Sequence, residues 1–326
     1  MTGRISTALD ALKGRSILVT GGTGMIGANL VHRMVGHGIR PVVTKRTGSD
    51  LSRLSNVADD IEMINLDLTD SRGMMNGVAA IKPDIIFHLA SSFFNPPTLT
   101  AVEHMMTNAI GTLHLLDAAM DNGKPKIVYS GSASVYAGAT GLSEDAPLDP
   151  STAFGASKAA ATLLGATYAK MYNLPFVELR VFSAFGPWER RERLIPYTIH
   201  RALDGMAVDI GHGEQQRDFV YVDDIVDAFL LAAVSDLAPG EVINLSSGHG
   251  YAIRDVAERL LKLMGDPVPL HVGARDTRKD EIWEISGNTE KARRLLGWEV
   301  STLLDDGLRA TFDWIRENRD LANEVK

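Results

Sequence analysis

The chain has 326 residues, with 33 Lys and Arg against 41 Asp and Glu, hence a net charge of 33 − 41 = −8. An apolar content of 45% supports a full core and excludes a disordered chain. The negative balance argues against a nucleic-acid or anionic-membrane partner. No cysteine is present, which excludes disulfides, thiolate metal sites and cysteine nucleophiles and fits a reducing cytoplasm.

The opening MTGRISTALDALKGR lacks the apolar centre of a signal peptide and reads as a short lead-in segment. Residues 16–20 form a short buried strand, 28–37 a helix and 41–44 the next strand. Strands over 61–66, 85–88 and 127–130 continue the series, with helical patterns over 99–122 and 153–172 between them. Buried strands alternating with helices predict an α/β chain with a Rossmann-type, doubly wound parallel sheet. Residues 219–222 and 223–234 read as one more strand and helix of that sheet. The expected division is a dinucleotide-binding domain over 1–182 plus 219–247, and a smaller α/β substrate lobe over 183–218 plus 248–326. Such a lobe belongs at the carboxyl edge of the sheet, where ligands bind in these folds. No apolar run reaches about 18 residues, so no membrane span is expected.

Gly21, Thr23, Gly24, Met25, Ile26 and Gly27 follow the first strand and open a helix. Glycines there let the backbone approach a pyrophosphate, and the helix N-terminus supplies free N–H groups and positive dipole. An acidic residue at the end of the second strand would hold the ribose of NAD. This chain has Lys45 and Arg46, whose charges suit a 2′-phosphate, so NADP is expected, with NAD as the alternative. Asp67 and Leu68, after the third strand, are placed to meet the adenine. Ser132 follows the fifth strand, where its hydroxyl can bond a reacting alcohol or ketone. Phe154 and Lys158 have the spacing of a Tyr-x-x-x-Lys pair, four apart on one helix face, but Phe has no hydroxyl to move a proton. His32, His37, His200, His212 and His249 are scattered, so no metal is expected. The charged run over 188–194 reads as a solvated loop that can lend cations to a diphosphate.

Together these residues resemble the extended short-chain dehydrogenase/reductase family, in its nucleotide-sugar branch, over nearly the whole chain. The resemblance also rests on His88-Leu89-Ala90-Ser91, Asn108–Thr112, Leu179–Pro187, Arg217–Asp224 and Ala292–Trp298. It implies that Ser132 orients the reacting oxygen and that Lys158 binds the nicotinamide ribose. It implies that Leu89 and Ala90 line the cofactor, and that Ser91, Ser183, Leu194, Arg217 and Arg278 meet a nucleoside diphosphate sugar. Helices 99–122 and 155–169 read first as core, and the resemblance implies that they also form the interface of a homodimer. The activity expected first is NADPH-dependent reduction of a 4-keto nucleotide sugar. The alternatives are a 4-epimerase or dehydratase that retains NAD, and a non-catalytic sugar-nucleotide binder. Dehydratases of this family place acidic residues beside the catalytic Ser or Thr, and Ala133-Ser134 lack them. With Phe154, turnover is expected to be slow or absent. Phe154 is also compatible with an introduced Tyr→Phe change, or with a different acid in the form of Tyr136 or a water.

Overall fold

The computed structural model describes residues 2–92, 99–276 and 281–324. In chain order the first half runs α1 (Thr2–Leu12), β1 (Ile17–Thr20), α2 (Met25–Val35), β2 (Val42–Lys45), β3 (Glu62–Asn65), α3 (Ser71–Ile81), β4 (Ile85–His88), α4 (Ala101–His104), α5 (Gly111–Asp121), β5 (Lys126–Ser132), α6 (Ala153–Tyr172) and β6 (Phe176–Val181). The second half runs β7 (Ser183–Phe185), α7 (Leu194–Leu203), β8 (Val208–Ile210), β9 (Gln216–Arg217), β10 (Phe219–Tyr221), α8 (Val222–Val234), β11 (Val242–Leu245), β12 (Tyr251–Ala252), α9 (Ile253–Leu263), β13 (Leu270–Val272), α10 (Glu290–Leu296), α11 (Leu304–Glu317) and α12 (Arg319–Glu324).

Seven of these strands form one parallel sheet in the order β11-β6-β5-β4-β1-β2-β3. The doubly wound α/β class read from the sequence is therefore the fold. β1, β4 and β6 are buried at every position, as a parallel sheet covered on both faces requires. The order reverses around β1, which lies between β4 and β2. That reversal opens a crevice at the carboxyl ends of β1 and β4.

Three features differ from the sequence reading. The lead-in segment is a helix whose Ile5, Ala8, Leu9 and Leu12 are buried and whose face packs on α8. The 219–222 strand does not join the main sheet: β10 pairs with β7 in a separate two-stranded sheet. The seventh main strand is β11, pairing with β6. Its four residues include Asn244, a polar residue that weakens the apolar strand pattern and whose side chain is satisfied by distant partners, Tyr136 and Leu142.

The residues after β6 build a second core around Phe185, Ile195, Ile199, Phe219, Val256, Leu260 and Leu308. It is fastened to the sheet by Asp218, whose carboxylate accepts the backbone N–H groups of Ser247, Gly248 and Gly287. Helices α4 and α5 are joined through one π-type turn over Met105–Ile110, a feature that recurs at functional sites. Among the described residues no helix is long and apolar enough to cross a membrane.

If α1 is part of the core, Leu9→Ala will cost about 2–5 kcal/mol in urea unfolding, the usual range for a buried Leu. An unchanged midpoint would show that the helix merely lies on the surface.

Candidate active site

A cleft of about 660 Å³ lies along the carboxyl ends of the parallel strands. Its walls include Gly21, Thr23, Gly24, Met25, Ile26, Gly27, Lys45, Arg46, Asp67, Leu68, Leu89, Ala90 and Ser91 at one end. Ser132, Phe154, Lys158, Ser183 and Arg217 line the remainder. The fold thus brings together the residues singled out in the sequence, except Leu194, Arg278 and the alternative acid Tyr136. Arg278 lies outside the described residues, and Leu194 packs against the second core rather than among the lining residues. Leu194 begins α7, and its neighbour Arg193 lines the cleft instead.

The glycine turn is shaped by close approach. Gly21 has φ +73°, and a Cβ there would stand 2.4 Å from the Ala90 nitrogen. A Cβ on Gly27 would stand 2.2 Å from the Gly21 carbonyl oxygen. Both side chains must therefore be hydrogen. Gly24 is the N-cap of α2 and makes no side-chain cap, so the N-terminal N–H groups of that helix are left for an anion. This cradle fits a dinucleotide's pyrophosphate.

Beyond it, Lys45 ends β2 and Arg46 lies exposed at the rim. Burial pushes the Asp67 carboxyl up, but hydrogen bonds from Thr69 and the nearby Arg46 charge outweigh it and hold the group below its ordinary value. His88, on β4, is fully buried between the hydroxyls of Thr20 (2.7 Å) and Thr112 (3.0 Å). Burial, with Lys158 adding to it, pushes its pKa down to about 3, so the ring is neutral and structural.

At the chemical end, Lys158 projects from α6 toward β5. Its Nζ donates to the Ser130 carbonyl at 2.8 Å, lies 3.3 Å from the Tyr129 hydroxyl, and stands 4.7 Å above the Tyr129 ring. Burial draws its pKa down to about 8, opposed by the charge of Glu178. Phe154, one turn earlier, meets the ring of His104 edge-on at 5.8 Å. The Ser132 hydroxyl accepts the Ser134 N–H at 3.1 Å. Asn108 ties the neighbouring elements: Oδ1 accepts from Ser91 and Ser92, and Nδ2 donates to Ser157 at 2.8 Å.

Tyr136 is not available as a replacement acid. It is fully buried and absent from the cleft lining, and its hydroxyl is held by Arg180 at 2.6 Å and Asn244 at 2.9 Å. The sequence placed it four residues from Ser132, but the short 3₁₀ turn over Ala133–Val135 directs it into the core.

The run over 188–194 is solvated only in part: Glu192 and Arg193 are exposed, but its start is not. Trp188 is buried against His32, with ring centroids 5.7 Å apart. Glu189, Arg190 and Arg193 line the cleft. Arg53, unnoticed in the sequence, reaches the Trp188 carbonyl at 3.0 Å and the Thr23 carbonyl at 3.1 Å. It joins the run to the glycine turn, and its only sequence signal was an arginine shortly after Lys45/Arg46. Arg217 donates to the Ile282 carbonyl at 2.6 Å and pairs with Glu281, another cleft residue that sequence reasoning missed. Among the described residues no cluster of His, Asp and Glu could hold a metal.

The sequence profile of the NAD dependent epimerase/dehydratase family matches residues 17–246. The chain belongs to that family. A dTDP-glucose 4,6-dehydratase of Neisseria meningitidis is 29% identical over 94% of this chain and 94% of its own length. A UDP-glucose 4-epimerase of Mycolicibacterium smegmatis is 29% identical over 92% of this chain and 98% of its own. The solved structure of UDP-glucose 4-epimerase from Thermotoga maritima with UDP-glucose superimposes with a TM-score of 0.85 at 26% identity, covering 93% of this chain and 99% of that one. An enzyme of the nucleotide-sugar, extended short-chain dehydrogenase type is thus supported. The expected reductase activity and preference for NADP draw no support from these relatives or from a family described by NAD.

Glu189 supplies a pH test. Its side chain is 7% exposed. Burial pushes its pKa up to about 7, only partly offset by Arg193. A carboxyl whose pKa rises on folding adds stability that is complete below its unfolded value and is lost as pH climbs through about 7. Glu189→Gln should therefore melt progressively higher than the parent as pH rises from 5 to 8, in thermal scans at matched ionic strength. Parallel melting curves across that range would refute a buried Glu189.

Proposed function

We propose that this chain binds a nicotinamide dinucleotide and a nucleoside diphosphate sugar in the one cleft, and that it oxidises and re-reduces the sugar as a nucleotide-sugar 4-epimerase. The observation that carries the reading is that the glycine cradle, Ser132, Lys158 and Arg217 line one continuous cavity. The bound nicotinamide would supply the hydride acceptor and donor. Ser132 would hydrogen-bond the reacting sugar oxygen. Lys158 would donate to the nicotinamide ribose, and Arg217 would contact the diphosphate or ribose of the sugar nucleotide, a charge suited to phosphate oxygens. Residues 183–218 and 248–326 would form the sugar-nucleotide lobe. Ala133 and Ser134 offer no carboxylate beside Ser132, which favours epimerisation over dehydration.

A second reading, net reduction with NADPH, is favoured by Lys45 and Arg46 in the cleft wall. The two are separated by denaturing freshly purified protein and weighing the released cofactor. Stoichiometric NAD supports the epimerase. An empty protein that then prefers NADPH to NADH supports the reductase.

Phe154 makes the chain slow in either reading, since nothing at that position can carry a proton. Loss of a general acid–base group costs about 10²–10⁴ in rate. Phe154→Tyr should therefore raise turnover on a panel of UDP- and dTDP-sugars by about that factor. Sugar-nucleotide binding with no turnover in that variant would instead make the chain a binding protein.

The proposed homodimer would cover the apolar side chains of Val102, Leu163 and Met171, which are 59–69% exposed on the helices α4 and α6. Sedimentation at micromolar concentration should give a dimer mass, and a monomer would defeat the assignment.

A further inference from the structure

A buried carboxylate that the proposed chemistry does not use lies directly beneath the chemical end of the cleft. Glu178, in the middle of β6, is 1% exposed. It stands opposite Tyr129 in the β5–β6 register, and Tyr129 is the residue over whose ring the Lys158 ammonium rests. Its Oε1 accepts from Arg180 Nε at 3.1 Å and from the Thr162 hydroxyl at 2.9 Å. The same Thr162 hydroxyl lies 3.1 Å from the Lys158 carbonyl, so Glu178 is tied to the helical turn that carries Lys158. Its Oε2 is buried without a hydrogen-bond partner among the described residues. A lone ionised oxygen in that position is costly unless positive charge faces it.

Gly131 adds an independent observation. It lies between Ser130, whose carbonyl holds the Lys158 ammonium, and Ser132. A Cβ on Gly131 would meet Glu178 Oε1 at 2.3 Å. The carboxylate occupies the space that a side chain at 131 would need, at the strand segment that carries the chemistry.

We propose that Glu178 is a positioning residue: its carboxylate is the buried counter-charge that keeps the Lys158 ammonium charged and aimed into the cleft, and its presence dictates glycine at 131. The groups facing Glu178 are Lys158 from α6, Tyr129 from β5 and Arg180 on its own strand. His88 from β4 lies behind Lys158, and Tyr136 and Glu144 lie beyond Arg180. Lys158 and Arg180 are the cations among them, so one carboxylate serves two cations. Arg180 is held by Tyr136 and by the Glu144 carbonyl, whereas among the described residues the Lys158 ammonium donates to a carbonyl and a phenol. Burial alone favours the neutral amine, and a neutral Lys158 would be a weaker donor to a ribose. The inference deepens the proposed function, in which Lys158 holds the cofactor ribose, but its test needs no ligand.

The test is the titration of Lys158 by NMR in protein labelled with 13Cε-lysine, the resonance being assigned by its loss in Lys158→Arg. The parent should titrate near about 8. Glu178→Gln should lower that midpoint by a unit or more, and Glu178→Asp should largely restore it. An unmoved midpoint in Glu178→Gln would overturn the assignment. Should the Gln variant fail to fold, the parent labelled at glutamate Cδ decides the matter. The Glu178 resonance, assigned by its loss in Glu178→Asp, must shift with the Lys158 transition. A Glu178 resonance that does not respond to that transition would refute the counter-charge. Gly131→Ala should be tolerated better in Glu178→Asp than in the parent, and equal damage in both backgrounds would remove the link to glycine. NADH and NADPH fluorescence titrations then report separately on the proposed function: a protein that binds neither loses that function, while the Lys158 titration still stands or falls on its own.

Discussion

The structure depends on one close approach, that of helix α2 to the ends of β1 and β4. Gly21 lies against the Ala90 backbone and Gly27 against the Gly21 carbonyl, at distances that exclude even a methyl group. Because of this contact the helix begins directly over the crevice where the strand order reverses. Its uncapped N–H groups then face the cleft instead of solvent. Every other residue of the site is placed relative to this corner. Leu89 and Ala90 leave β4 beside it, Lys45 and Arg46 leave β2 on one flank, and Ser132 leaves β5 on the other.

Around that corner the chain accepts an unusual load of buried polarity. Lys158, Glu178, Arg180 and His88 are all nearly or wholly out of water. Each would be costly alone, and they persist through specific partners. His88 stays neutral and bridges two threonines. Arg180 reaches Tyr136, the Glu144 carbonyl and Glu178. Such networks are a weak source of net stability, and they hold their members through specific hydrogen bonds. The consequence is that the side chains under the cleft have little freedom, so Lys158 is presented in one orientation. Phe154 is at odds with this arrangement. Its surroundings are those of a proton-transfer site, while its own side chain is limited to packing, here against His104.

The second core closes the far wall. Its attachment through Asp218 to the backbone of residues 247, 248 and 287 brings the β7–α7 segment over the glycine turn. Arg53 completes the link by reaching both Trp188 and Thr23. Glu189 thereby becomes a buried acid paired with Arg193 at the cleft wall, although the local sequence has the composition of a solvated loop.

The sequence by itself determined the class of fold and one side of the cleft. Buried strands alternating with helices, a glycine turn directly after the first strand, and a Phe154/Lys158 spacing of one helical turn are all local patterns. Short-range sterics and hydrogen bonding suffice to read them. What tertiary structure decided are relations between residues far apart in the chain. Which short strand completes the sheet, β11 rather than β10, depends on pairing with β6. Tyr136 turns away from the cleft because Arg180 and Asn244 wait for it in the core. Glu178 lies under Lys158 because the β5–β6 register sets it opposite Tyr129. No local propensity encodes such a juxtaposition, since it arises only when long-range contacts close the sheet and fix which side chains share a buried space.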